Sequence, residues 1–367
     1  MNMKQIFGVP RVIIGGALVV LLLLTFVAML RGNTGATASD AQTCAPMTAT
    51  SVPHMTASFA EYTLPHPQSD LMSPALDAQG NVWFGEMGGN RLGRLNPQTQ
   101  TITEWAPPNG NSGIMGITAD SAGNIWFAEE ASNYIGKFAP ATCRFTTYAL
   151  PTRGGHSAAP DGVAFAPNGV LWFTQFGNDV IGSLDPQTGA IHQFPLTKSG
   201  TTPVAPYGIA VDRGGSVWFT ELAAGAIGKL DPASGKVSTY PLMATAQPNT
   251  ITLAPDGQLW FTEMNTGILG SIDPATAHIT ENHVPAAYGK VAQLYDVQAA
   301  ANGVLWLTSS GANAILRYDP ATQAWSEAVL PQASSAPYGL ALSPTGALWV
   351  TEGALNADRV AQYLPGQ

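Results

Sequence analysis

Along most of this chain, short runs of β-branched and aromatic residues alternate with clusters of Gly, Asp, Asn and Pro, and the runs return at a fixed interval. Seven of them are built around a tryptophan: Trp83, Trp126, Trp172, Trp218, Trp260, Trp306 and Trp349, spaced 43, 46, 46, 42, 46 and 43 residues apart. A period in the low forties with one Trp per unit predicts a β-propeller, one four-stranded blade per repeat.

The unit is clearest over residues 206–242. Pro206-Tyr207-Gly208-Ile209-Ala210-Val211 predicts a first strand and Asp212-Arg213-Gly214-Gly215 a turn. Ser216 to Glu221 predicts the second strand, and Ala226-Ile227-Gly228-Lys229-Leu230 the third. After a turn at Asp231-Pro232-Ala233-Ser234-Gly235, Lys236 to Leu242 predicts the fourth. An Asp that accepts from backbone N–H groups, followed by a Pro with preset φ, favours a type I turn. The pair recurs at Asp185-Pro186, Asp273-Pro274 and Asp319-Pro320.

The last repeat lacks its fourth strand, because the chain ends soon after Ala361-Gln362-Tyr363-Leu364. Phe59-Ala60-Glu61-Tyr62-Thr63-Leu64 reads like a fourth strand without a blade. The expected fold is therefore an all-β, seven-bladed propeller over residues 58–367, with an N-terminal strand completing the last blade. Such closure removes the open sheet edge that invites aggregation.

Residues 12–30 hold no charge and follow Lys4 and Arg11. This is long enough to span a bilayer as a helix, so residues 1–31 are expected to anchor the chain; Ala36-Thr37-Ala38 keeps a cleaved signal sequence open instead. Either places the propeller outside the cytoplasm, membrane-anchored or, after cleavage, secreted. Residues 32–57, rich in Thr, Ala, Ser and Pro, read as a flexible tether. Cys44 and Cys143 allow one disulfide between tether and second blade, and the sequence leaves both bonded and free states open.

With 24 acids against 15 Lys and Arg, the net charge is −9, and three of the bases (Lys4, Arg11, Arg31) flank the apolar stretch. Such a surface repels nucleic acid. No phosphate loop, His-Glu-x-x-His helix, Cys-x-x-Cys pair or Gly-x-Ser-x-Gly elbow occurs, so an organic cofactor is not expected and any chemistry must be assembled across blades.

In a propeller the start of each first strand and the end of each second strand meet at one mouth. The expected strand-one positions are Ala75, Met115, Asp161, Tyr207, Asn249, Asp296 and Tyr338. The positions three residues after each Trp are Glu86, Glu129, Gln175, Glu221, Glu263, Ser309 and Glu352, with Glu130 one step beyond. Clustered carboxylates call for a hard cation such as Mg²⁺ or Ca²⁺. Glu221 and Glu263 are the expected metal ligands; the other copies are read as repeat-consensus acids bonding backbone. Asp161, Tyr207, Asn249, Asp296 and Tyr338 are the expected ligand contacts.

Trp-Phe-Thr-Glu, followed by Ile-Gly-Lys-Leu and preceded by Pro-Tyr-Gly-Ile, resembles the streptogramin B (virginiamycin B) lyases, and the resemblance covers residues 58–364. It implies a seven-bladed propeller that opens cyclic depsipeptides by Mg²⁺-assisted elimination. It also implies histidines at strand-one positions of two late adjacent blades, as Pro-His-x-Ile, and a Glu four residues after a Trp. This chain has no histidine at its strand-one positions, and Glu130 is its one acid four residues after a Trp. Glu130 and His156, the latter in a loop with two glycines, are the remaining catalytic candidates.

Two functions stay open. One is an extracytoplasmic lyase or hydrolase with a rearranged base. The other is a tethered module that binds a small molecule, peptide or glycan at the mouth without converting it. A six-bladed Ca²⁺ lactonase is disfavoured by seven repeats, and a monomer is expected.

Overall fold

The computed structural model describes residues 46–364 apart from 67, 198–199, 244, 289–292 and 354–357. The seven repeats form seven antiparallel sheets, each with the inner-to-outer strand order of a propeller blade. Blade four runs Pro206–Val211, Val217–Glu221, Ala226–Leu230 and Val237–Pro241, within a residue or two of the expected bounds.

The ring closes as the repeat count requires. The N-terminal strand Phe59–Thr63 pairs antiparallel with Arg359–Tyr363, Phe59 opposite Tyr363 and Thr63 opposite Arg359. Blade seven thus combines strands from both ends of the propeller, and opening it must part the two.

Part of the segment expected to be a flexible tether is ordered. Met47–Thr50 adds a fifth strand to the outer edge of blade one, and His54–Met55 adds one to blade seven. Ser51 joins the two, its N–H donating to Gln100 O at 2.8 Å and its Oγ to Thr63 O at 2.9 Å. The strap therefore crosses the seam between first and last blades. A Thr-rich stretch lying on a free sheet edge gains a full ladder of backbone hydrogen bonds, which composition alone does not reveal.

The expected membrane helix and Cys44 lie outside the described residues. Among those described, no helix is long and apolar enough to cross a membrane. Cys143 is disulfide-bonded.

The repeat consensus explains the packing. Trp218 is fully buried, and its indole Nε1 donates to Asp212 Oδ2 at 2.8 Å. Oδ1 of the same Asp accepts from the N–H groups of Gly214 and Ser216, so one side chain closes the turn and fixes the Trp. Tyr240 stacks on Trp218 at 5.7 Å between centroids, and Lys229 Nζ lies 4.7 Å over the indole. Asp77 with Trp83 and Asp120 with Trp126 repeat the bond at 2.8 Å. Gly228 is glycine because a Cβ there would stand 2.1 Å from the Phe219 ring.

Candidate functional site

The acids after the tryptophans do not converge on the mouth. Each is buried inside its own blade. Glu221 Oε1 accepts from Thr239 at 3.0 Å, and Glu263 Oε2 from Thr266 at 2.8 Å. Glu129 is held by Asn109 and Ser132, both at 2.7 Å, and Glu352 lies 3.6 Å from Arg359. In blade one Arg91 Nη2 lies 2.7 Å from Glu86, Arg91 Nε lies 3.2 Å from Glu104, and Ser69 donates to Glu86. Burial pushes Glu86, Glu263 and Glu352 up to about 7.

Glu221 and Glu263 therefore sit in separate blades with separate partners, correcting their expected grouping as metal ligands. Among the described residues no three His, Cys, Asp or Glu side chains form a metal-holding group. The residues present do not fit the divalent ion that the resemblance implies.

What lines the axis is a second ring, one residue per blade: Met72, Met115, Asp161, Tyr207, Asn249, Tyr295 and Tyr338. Each lies eleven residues before its Trp. All seven border a cavity of about 60 Å³, room for a few waters or one small chemical group.

Six of the expected strand-one positions border this cavity: Met115, Asp161, Tyr207, Asn249, Asp296 and Tyr338. In two blades another residue holds the ring position. In blade one Leu71 pairs with Glu86, which puts Met72 on the axis; Ala75 lies further along, opposite Trp83. In blade six Leu294 pairs with Ser309, so Tyr295 holds the ring position and Asp296 the next.

That next position is usually glycine for a reason. A Cβ on Gly208 would stand 2.5 Å from Asn249 O, because the neighbouring blade's backbone comes that close. Asp296 takes this slot and bonds sideways instead: its carboxylate accepts from Leu340 N in blade seven and from Val297 N, both at 2.8 Å. It borders the cavity but serves as a brace between blades. Desolvation raises it to about 6 although those bonds oppose the shift.

The Thr two residues after the Trp ties the repeat to the ring. Thr220 Oγ1 accepts from Gly208 N at 2.8 Å and donates to Asn249 O, the next blade's ring carbonyl, at 2.6 Å. Thr174 pins Tyr207 O at 2.8 Å, Thr262 pins Tyr295 O at 2.8 Å and Thr308 pins Tyr338 O at 2.7 Å. Blades one and two carry Gly85 and Ala128 there and supply no such pin.

Blades four and seven face each other across the ring, and the hydroxyls of Tyr207 and Tyr338 hydrogen-bond, barring the axis. Tyr295 packs on Tyr338 at 5.2 Å. Asp161, 5 % exposed, has an unpartnered Oδ2, and desolvation raises it to about 8. Glu130 is raised well above a normal carboxyl by desolvation and by Asp161. Tyr207 is raised by desolvation and then by the charge of Asp161.

His156 does not join them. Arg153 and His156 bridge to each other, closing an exposed turn through Gly154 and Gly155, so the loop folds on itself instead of inward. His66 contacts Glu104 at 2.6 Å in blade one, and His283 is exposed on an outer strand.

These features define a seven-bladed β-propeller with an irregular ring of residues on its axis. The virginiamycin B lyase family profile matches residues 43–290 and 244–365, and the chain belongs to that family. Virginiamycin B lyase from Staphylococcus aureus superposes with a TM-score of 0.75 at 27% identity, over 83% of this chain and 98% of that one. A streptogramin B lyase structure gives 0.74 at 29%, covering 84% and 98%. A catalytically inactive His-to-Ala variant of the S. aureus enzyme with quinupristin gives 0.74 at 28%, covering 83% and 98%. No curated protein matches the chain.

Proposed function

We propose that this chain is a membrane-tethered, extracytoplasmic, monomeric propeller that binds a ligand at its axial mouth and does not linearise cyclic depsipeptides. One observation carries the reading: none of the seven ring residues is a histidine, and their places are held by Tyr, Met, Asn and Asp. Imidazole titrates near neutrality, which suits it to abstract a proton there; a phenol raised well above 10 does not release one at that pH. The tether rests on the apolar stretch 12–30 behind Lys4 and Arg11. The acidic surface disfavours nucleic acid as partner.

A second reading has one observation in its favour. Asp161, at about 8, is a carboxylate basic enough to act near neutral pH. In that reading it takes the proton in the elimination, and Mg²⁺ has no part for which these residues provide ligands.

The test is to incubate the full chain in detergent with a cyclic depsipeptide antibiotic and Mg²⁺, and to separate the products by chromatography with mass detection. Elimination yields a linear isomer of unchanged mass at a new retention time; hydrolysis adds one water. Retention of the depsipeptide without either product supports the binding reading. Either product overturns it.

A further inference from the structure

The axial cavity has a chemistry of its own, beyond the absence of histidine. Two residues that border it each carry an acceptor oxygen without a hydrogen-bond partner: Asp161 Oδ2 and Asn249 Oδ1, on side chains 5 % and 1 % exposed. A third unpartnered oxygen, Glu130 Oε1, belongs to a side chain 4 % exposed that feels the charge of Asp161 and acts on Tyr207. Neither carboxyl is lowered by a neighbouring cation: desolvation raises both, and Asp161 raises Glu130 further. Burying a carboxylate and an amide oxygen without donors is unfavourable, and a ligand able to donate removes that penalty.

The remaining wall is aromatic and soft: Tyr207, Tyr295 and Tyr338, together with Met72 and Met115. Phenol rings attract a cation through their faces, and methionine packs against alkyl stems. Unlike a hard divalent ion, which requires several oxygens around it, an alkylammonium uses three N–H donors and an apolar tail.

We propose that the axial cavity is a binding site for a primary ammonium group on a slender, unbranched carbon chain. Its nitrogen donates to Asp161 and Asn249, and its first methylenes lie among the tyrosine and methionine side chains. A volume of about 60 Å³ admits the head group and a short stem, and excludes a branched or quaternary head. The net charge of −9 favours the approach of cations. This assignment rests on the reading of the axial ring as a binding mouth and names the ligand class it takes.

Isothermal titration of the full chain in detergent, with n-butylammonium, n-butanol and tetramethylammonium as probes, tests it. Butylammonium binds at pH 8.5, releases a fraction of a proton in buffers of differing ionisation enthalpy, and binds about tenfold more weakly or worse at pH 6, where Asp161 holds its proton. Butanol and tetramethylammonium bind at least about tenfold more weakly, lacking the charge or the N–H donors. Asp161→Asn loses about tenfold or more, and Asn249→Leu loses less, whereas Glu221→Gln, confined to the interior of blade four, leaves the affinity unchanged. Each variant is first checked for an unchanged circular dichroism spectrum. Equal binding of butanol, full affinity in a folded Asp161→Asn, or no heat from butylammonium at pH 8.5 overturns the assignment. Retention of a depsipeptide with no response to butylammonium leaves the binding reading standing and removes only the ammonium. A linear product removes the binding reading itself.

Discussion

Two rings of residues run around this propeller, and they differ in kind. The outer one, three residues after each Trp, is nearly uniform: five glutamates, a glutamine and a serine, each enclosed in its own blade. The inner one, eleven residues before each Trp, holds two methionines, an aspartate, an asparagine and three tyrosines. Uniformity reflects a shared structural task, because every blade must close the same corner. Irregularity marks the positions free to differ, and they are the ones that meet at a common space. The buried glutamates of the outer ring do not line the axial cavity, whereas Asp161 and Asn249 do.

The sharpest separation of the two regions comes from stability. Trp218→Ala should cost about 3–5 kcal/mol, since it empties a fully buried site and strands Asp212 Oδ2. On the inner ring Tyr207→Phe removes only one hydroxyl, paired with Tyr338, and should cost about 1 kcal/mol or less. Chemical denaturation of the two variants checks both. Similar losses would mean that the axis is as structural as the blades.

Thr220→Val probes the link between the rings. It removes two buried hydrogen bonds, to Gly208 N and Asn249 O, at a cost of about 2 kcal/mol. Affinity for an axial ligand should fall with it, because the backbone carrying Asn249 loses its pin. A stability loss with unchanged affinity would break the link.

The pH dependence of stability sharpens the comparison further. Glu86, Glu263 and Glu352 titrate near 7 when folded, against 4.5 ordinarily, so the folded chain holds protons the unfolded chain has released. Their contribution is fully present below 4.5 and is lost as pH rises through 7. The Tm should therefore fall between pH 5 and pH 8. Asp161, at about 8, extends the decline past neutrality. Asp161→Asn, the smallest of these effects, should end the decline near pH 7 and make it shallower below, because Asp161 contributes slope over the whole interval from 3.8 to about 8.

Most of the fold was legible because the blade is a local unit: Trp, Thr, Gly and the Asp-Pro turn each act within some thirty residues. Ring closure was legible too, since a fourth strand missing at one end had a spare at the other. The mouth was harder to read. Locating it by the Gly-Ile pair fails in blade one, where Leu71-Met72-Ser73-Pro74 has none, and in blade six, where Asp296 replaces the glycine. Counting eleven residues back from each Trp finds all seven positions, Met72 and Tyr295 included. The acids misled because their direction depends on strand pleat: one residue's shift turns a side chain from the axis into the blade. The strap over residues 47–55 left no trace in composition, because it is held by backbone bonds.

What separates the two readings is whether a family ring without imidazole still opens a macrocyclic ester. The most direct measurement is chromatography with mass detection of a cyclic depsipeptide held with the full chain and Mg²⁺ at pH 8.5, where Asp161 is mostly ionised and best able to take a proton. The macrocycle should persist at its original retention time. A linear isomer that forms with the native chain and disappears with Asp161→Asn would contradict the account and make Asp161 the base.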